Sequence, residues 1–103
     1  VIGGKGEVAY STAKAGVIGL TKSVAREAGA EGVTVNAVLP GLTRTPTIEN
    51  FMAKKFKDAI IQETPLGRGA EPEEVARVIA FLASDDASFI TATAIPISGG
   101  WAI

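Results

Sequence analysis

The chain has 103 residues, of which 47% are hydrophobic and 20% are charged, and its formal net charge at pH 7 is −1. This composition is typical of one small globular domain, and the balanced charge gives no electrostatic basis for binding nucleic acid or an anionic membrane surface. The absence of cysteine and histidine excludes disulfides, zinc centres and serine–histidine triads, so proton chemistry near neutral pH must come from Tyr, Lys, Asp or Glu.

The first predicted helix runs from Val8 to Ala28. Arg26 in its last turn and Gly29 just beyond it are a favourable charge and a favourable stop for a helix C-terminus. Apolar residues recur along one face at steps of three and four, which is the helical period. These residues are Ala13, Val17, Leu20, Val24 and Ala28.

A buried parallel strand is predicted next, from Val33 to Leu39, because "VTVNAVL" is β-branched and apolar on both faces. The Pro40-Gly41 pair ends it. A second, weaker helical pattern covers Thr47 to Gln62. Its inward side is expected to consist of Ile48, Phe51, Met52, Phe56, Ala59 and Ile60.

The loop "TPLGRGAEP" leads into a third predicted helix, "EPEEVARVIAFLASDD". In this helix Glu71 is a candidate cap, Pro72 suits the first turn, and Glu73 and Glu74 suit the positive end of the helix dipole. Arg68 in the loop is expected to form an ion pair. The buried stripe of the helix is predicted to be Val75, Val78, Ile79 and Leu82.

A second strand is predicted in "TATAIPIS", which Gly99-Gly100 ends. Pro96 lacks an N–H group, so this strand is expected at a sheet edge. The order is therefore helix, strand, helix, helix, strand. Two parallel strands with a helical crossover are part of an α/β layer, and they cannot cover three helices, so the fold is expected to be incomplete on its own.

Tyr10 and Lys14 are four residues apart, so on a helix they share a face. An ammonium group beside a phenol favours the phenolate, and such a pair can give or take a proton at a carbonyl or alcohol oxygen. The alternative is a packed tyrosine and a solvated lysine, which the spacing alone does not exclude.

The motifs around this pair resemble the short-chain dehydrogenase/reductase family. "YSTAKAGVIGLTKSVARE" is similar to the family's catalytic helix, "VTVNAVLPG" to its sixth strand, and "PLGRGAEPEEVARVIAFLASDDASFITA" with "SGGW" to its last helix and strand. The resemblance covers nearly the whole chain. It implies that residues 1–103 are the C-terminal segment of a single Rossmann-like domain with a doubly wound parallel sheet.

The resemblance also implies roles for individual residues. Tyr10 is the acid/base that protonates the substrate carbonyl, and Lys14 supports it and binds the nicotinamide ribose. The residues expected to line the cofactor are Pro40, Gly41, Thr43 and Thr45. Thr43 stands where the family usually has Ile or Val, Ala92 where it usually has Gly, and Ser98 where it usually has Asp. The helix that carries Phe51 and Phe56 corresponds to the family's substrate lid.

The cofactor implied by the resemblance is NAD or NADP. The family's glycine-rich phosphate turn is not found in these 103 residues, and its catalytic serine is expected before Val1. The chain alone is therefore expected to be inactive, as part of a longer oxidoreductase acting on a carbonyl or alcohol. The alternative is a truncated, non-catalytic remnant that serves as a self-associating module.

The expected partners are the missing N-terminal half or further copies of this chain, because the family packs its catalytic helix against a neighbouring subunit. Small residues keep this helix thin: Ala9, Ala13, Gly16 and Gly19. No apolar run approaches the roughly 20 residues that span a bilayer, and no segment reads as a signal peptide. We therefore expect a cytoplasmic protein with no nucleic-acid or membrane partner and no metal.

Overall fold

The computed structural model describes residues 7–101, which form four α-helices and a two-stranded parallel sheet. In chain order these elements are α1 (Glu7–Ala28), β1 (Ala37–Pro40), α2 (Pro46–Phe51), α3 (Lys54–Glu63), α4 (Pro72–Leu82) and β2 (Ala94–Ile97). Short 3₁₀ turns follow α1 at Gly29–Glu31 and α4 at Asp85–Ala87.

The two strands pair in parallel, as predicted, with Ala37 opposite Ala94 and Pro40 opposite Ile97. Both are shorter than predicted. The segment before β1 is held by side chains instead of a strand ladder: the Thr91 hydroxyl accepts from the Val35 N–H at 2.9 Å. Asn36 donates from Nδ2 to the Ile90 carbonyl at 3.1 Å and accepts the Thr93 hydroxyl at 2.6 Å.

Pro96 lies on the open side of β2. The carbonyls of Thr93 and Ile97 accept the N–H groups of Ala37 and Gly41, each at 2.9 Å. Because backbone groups of successive strand residues alternate in direction, the Pro96 nitrogen faces away from β1. This agrees with the predicted edge strand. Within residues 7–101 each strand has one neighbour, so β1 is also open on its far side.

The side of α1 that is covered differs from the apolar stripe read from the sequence. Thr21 and Ala25 are its most buried residues, at 7% and 4% exposure, whereas Leu20 is 64% exposed. The Thr21 hydroxyl is satisfied within the helix by the Val17 carbonyl at 2.7 Å. The covered stripe consists of Lys14, Ile18, Thr21, Ala25 and Ala28. The apolar stripe therefore faces outward, because residues 7–101 place nothing over it.

The single helix predicted over 47–62 is wrong, because the chain breaks it into α2 and α3. Met52 and Ala53 take extended ψ values of 131° and 135° between the two helices. On one straight helix Ile48 and Ile60 would lie about 18 Å apart and rotated by about 120°. The break lets both line the same cleft. It also leaves Phe51 and Phe56 exposed, which corrects their predicted inward position.

The predicted start of α4 is confirmed. Glu71 is its N-cap, Pro72 its first residue, and the Glu74 carboxylate accepts the Glu71 N–H at 2.9 Å. Arg68 forms the expected ion pair, with Glu74. The helix ends at Leu82, before the predicted "ASDD". Its predicted stripe is only partly covered, since Ile79 is 49% exposed.

The core is small. Among the residues that the structure describes, the buried apolar ones are Ala25, Ala37, Ile60 and Ala87, and of these only the isoleucine is large. Such a core matches part of a domain rather than a whole one, as the element list predicted.

Candidate functional site

An open cleft of about 310 Å³ lies beyond the carboxyl end of β1. In open α/β sheets this is the edge where ligands bind. The start of α1 contributes Tyr10, and the segment after β1 contributes the four residues predicted to line a cofactor, which are Pro40, Gly41, Thr43 and Thr45. The structure thus brings five of the six predicted site residues to one cleft.

The sixth, Lys14, is not among the residues that line the cleft. It lies one turn after Tyr10 on the half-buried stripe of α1. Tyr10 itself is 52% exposed. Tyr10 is therefore an accessible residue of the cleft lining, and Lys14 follows it one turn later on the same helix.

Gly41 is required where the chain leaves β1. A Cβ atom built at this residue would lie 2.9 Å from the Cα of Ser98, closer than real Cβ atoms come to a backbone atom. The Gly41 N–H extends the strand ladder by donating to the Ile97 carbonyl at 2.9 Å. A side chain here would push the floor of the cleft away from β2.

The two threonines are held by the local backbone. The Thr43 hydroxyl donates to the Gly41 carbonyl at 3.3 Å, and the Thr45 oxygen accepts the Ile48 N–H at 3.2 Å and caps α2. A hydroxyl has one donor and two acceptor positions. Thr43 therefore keeps acceptor capacity for a ligand, while Thr45 keeps its donor.

The other residues that line the cleft were not predicted as site residues. They are apolar, and they are Leu42, Ile48, Met52, Ile60 and Trp101. Trp101 is the single tryptophan of the chain. Its indole Nε1 donates to Glu63 Oε2 at 3.1 Å. The sequence shows "SGGW" only as the end of a strand, so no local signal placed Trp101 in the same cleft as Tyr10.

No charged residue lines the cleft, and charged residues elsewhere in residues 7–101 form ion pairs with one another. Arg44 pairs with Glu49 and with Glu71, each at 3.0 Å, and these carboxylates raise the pKa of Arg44. The Arg68 guanidinium binds the Glu74 carboxylate with two hydrogen bonds of 2.6 and 3.0 Å. These bonds, together with the one from the Glu71 N–H, lower the pKa of Glu74 to about 2.

Residues 7–101 offer neither a metal site nor a membrane span. No group of three or more acidic side chains in this part of the chain could hold a metal ion. None of its helices is long and apolar enough to cross a membrane.

The sequence model of the family described as "Enoyl-(Acyl carrier protein) reductase", a branch of the short-chain dehydrogenases, matches residues 1–102. The chain is 51% identical over 98 residues to an acetoacetyl-CoA reductase of Rhizobium meliloti, covering 95% of this chain and 41% of that protein. It is 46% identical over 99 residues to a mouse (3R)-3-hydroxyacyl-CoA dehydrogenase, covering 96% of this chain and 38% of that one.

A 3-oxoacyl-[acyl-carrier-protein] reductase of Thermotoga maritima is 45% identical over 103 residues, which are all of this chain and 42% of that protein. Among solved structures, a crystal structure of 3-oxoacyl-[acyl-carrier protein] reductase from Brucella melitensis superposes with a TM-score of 0.85 at 34% identity, over 91% of this chain and 35% of that one. The chain thus spans about two fifths of the length of its curated relatives.

Proposed function

The chain belongs to the short-chain dehydrogenase/reductase family, and on that basis we propose that it supplies the proton-transfer half of an oxidoreductase site. The longer protein would move a hydride between NAD or NADP and a carbonyl or alcohol. The observation that supports this proposal is the cleft that Tyr10 shares with Pro40, Gly41, Thr43 and Thr45.

In the reducing direction, the Tyr10 hydroxyl hydrogen-bonds the substrate carbonyl oxygen and gives it a proton while a hydride adds to the carbonyl carbon. The product is an alcohol, and the phenolate that remains takes a proton back from solvent. Lys14 would stabilise that phenolate by its positive charge and would help to hold the ribose of the cofactor. Proton transfer of this kind contributes about 10²–10⁴ to a rate.

The residues of the cleft fit the nicotinamide end of the cofactor. At about 310 Å³ the cleft is at the lower end of ligand pockets, which measure roughly 300–1,000 Å³. It therefore suits one ring and a small substrate, not a whole dinucleotide. Thr43 can accept a hydrogen bond from a carboxamide and Thr45 can donate one, and the nicotinamide supplies the hydride when it is bound.

The test is Tyr10→Phe in the longer protein that contains this chain. We expect turnover to fall by about 10²–10⁴, because the proton donor is lost, while cofactor affinity changes little. The first substrates to assay are 3-oxoacyl thioesters, which the names of the relatives suggest. If the Tyr10→Phe enzyme kept near-wild-type turnover, the acid/base role of Tyr10 would be contradicted, and the residue would have only a packing role.

By itself, the 103-residue chain is proposed to be inactive. It has no glycine-rich phosphate turn and no serine to hold the substrate oxygen, so the two reactants would not be oriented toward each other. Calorimetric titration of the chain with NADH and NADPH measures this. Saturable binding at micromolar concentrations would contradict it.

A second candidate function is a non-catalytic, self-associating module. The exposed apolar residues on α1 favour it, since Val17, Leu20 and Val24 are 47%, 64% and 37% exposed. Surfaces of this kind are usually covered by another chain. The intact mass of the purified protein, read with the full open reading frame, discriminates between the two candidates.

A further inference from the structure

Trp101 is held against the cleft at both its backbone and its side chain. The Gly99-Gly100 turn that precedes it has positive φ angles of 61° and 91°, and a Cβ atom at Gly100 would lie 2.8 Å from Pro65 Cγ. The Leu66 N–H donates to the Gly99 carbonyl at 3.1 Å, and the Trp101 N–H donates to Ser98 at 3.1 Å. This turn is therefore packed directly against the segment that follows α3.

The side chain of Trp101 is oriented by α3. Its indole N–H donates to Glu63, the last residue of that helix, at 3.1 Å. Ile60, one turn earlier on the same helix, is 7% exposed and lines the cleft with the indole. Because the indole N–H is bonded to Glu63, the ring offers a ligand in the cleft only its apolar carbon surface.

The chemistry of the cleft follows from this arrangement. Its lining includes no charged side chain, and the polar side chains that line it besides Tyr10 are those of Thr43 and Thr45. A carboxylate or phosphate placed against these side chains would lose water and find no cationic side chain among the residues that line the cleft, which is unfavourable. An uncharged apolar substituent would displace water from the indole, Met52 and Ile48 at no such cost.

We propose that Trp101, positioned by Glu63, is a specificity-determining residue that selects carbonyl substrates with an uncharged apolar group next to the reacting carbonyl. This inference rests on the proposed function for the identity of the reacting group. It adds which substrates the cleft accepts and which residue rejects the others.

The single tryptophan makes the proposal measurable without turnover. We would titrate the 103-residue chain with ethyl acetoacetate and with acetoacetate, which share a ketone and differ in a negative charge, and follow Trp101 emission. N-acetyltryptophanamide controls for collisional quenching, which is linear in concentration. We expect a saturable change with the ester and binding of acetoacetate weaker by about tenfold or more.

Two variants of Glu63 test the positioning step. Glu63→Gln keeps an oxygen acceptor for the indole N–H and should retain both the emission maximum and the preference for the ester. Glu63→Leu removes the acceptor, so the indole should become more exposed to water. Trp101 emission should then move to longer wavelength, and the preference for the ester should diminish. Circular dichroism checks that the variant keeps its fold.

Linear quenching by both compounds, equal to that of free N-acetyltryptophanamide, would overturn the specificity role. A Glu63→Leu variant with wild-type emission and wild-type preference would overturn the role of Glu63. Neither result depends on hydride transfer, because the titration contains no cofactor. Failure of the Tyr10→Phe test would therefore be a separate finding.

Discussion

Ala92 is the one non-glycine residue within residues 7–101 that has a positive φ, at 61°. Its N–H donates to the Val35 carbonyl at 2.8 Å, and this hydrogen bond connects the turn before β2 to the segment before β1. A residue with a Cβ pays roughly 1–2 kcal/mol for the left-handed conformation. The family usually has glycine at this position, and the positive φ explains why, because glycine adopts this conformation without steric cost.

Ala92→Gly should therefore stabilise the chain by about 1 kcal/mol, because relief of the left-handed strain exceeds the added entropy of the unfolded glycine. The midpoint of urea unfolding measures the change. Ala76→Gly is the matched control: Ala76 lies within α4 with ordinary helical geometry, and the same replacement there should cost about 1 kcal/mol. If both variants lose stability equally, strain at Ala92 is absent.

At the scale of elements, the loop before α4 is joined to the helix by an ion pair that also belongs to the helix cap. Glu74 accepts from the Glu71 N–H and binds Arg68, whose other contact is the Gly69 carbonyl at 3.1 Å. A carboxylate in the first turn also suits the positive end of the helix dipole. The Glu74 side chain thus connects Arg68 in the loop to the N-cap of α4.

This arrangement predicts a pH dependence. The pKa of Glu74 is lowered from 4.5 to about 2, chiefly by Arg68 and then by the Glu71 N–H. Because the folded pKa is the lower one, its contribution to stability is fully present above pH 4.5 and is lost as the pH falls toward 2. Glu74→Gln should therefore be less stable than wild type at pH 6, and the difference should shrink between these two values.

Urea midpoints over a pH series measure this difference. The matched control is Glu73→Gln, in the same first turn of α4, which removes the same negative charge from the positive end of the helix dipole. Equal pH profiles for the two variants would show that the Arg68 pair adds nothing beyond the dipole.

For the whole molecule, the exposed surface is too large for a compact monomer. The accessible area is 7042 Å² for 10.5 kDa, whereas a compact monomer of this mass exposes about 5,400 Å². The radius of gyration is 15.4 Å, against about 13 Å for a globular domain of this length. Two surfaces that another chain could cover are the open edge of β1 and the exposed apolar stripe of α1.

We therefore expect the chain to self-associate in solution, most simply as a two-fold dimer. Leu20→Lys should weaken association by about tenfold or more, because it places a charge in the apolar stripe of α1. Sedimentation over a dilution series measures the mass. Leu66→Lys is the control, since Leu66 is 68% exposed, as Leu20 is 64% exposed, but lies in the loop after α3.

A chain that stays a compact, cooperatively melting monomer at low micromolar concentration would contradict this expectation. Equal effects of the two lysine variants would place the association surface somewhere other than α1.

The sequence by itself determined the features that neighbouring residues encode. The start of α4 at Glu71-Pro72, the parallel pair of strands and the family followed from caps, periodicity and motifs. So did the grouping of Pro40, Gly41, Thr43 and Thr45, because these residues lie within six positions at the end of one strand. Their role as a cofactor site stays a prediction.

Only the tertiary structure decided the features that distant residues set. The covered face of α1 depends on what lies against that helix, which helical period does not specify. The break at Met52–Ala53 contains no proline or glycine from which it could be predicted. It allows Ile48 and Ile60 to line the same cleft. Trp101 lines the same cleft as Tyr10, although the two residues lie near opposite ends of the chain, and the Gly99-Gly100 turn before Trp101 packs on Pro65. Contacts at such separations depend on the packed chain as a whole, and no local pattern carries them.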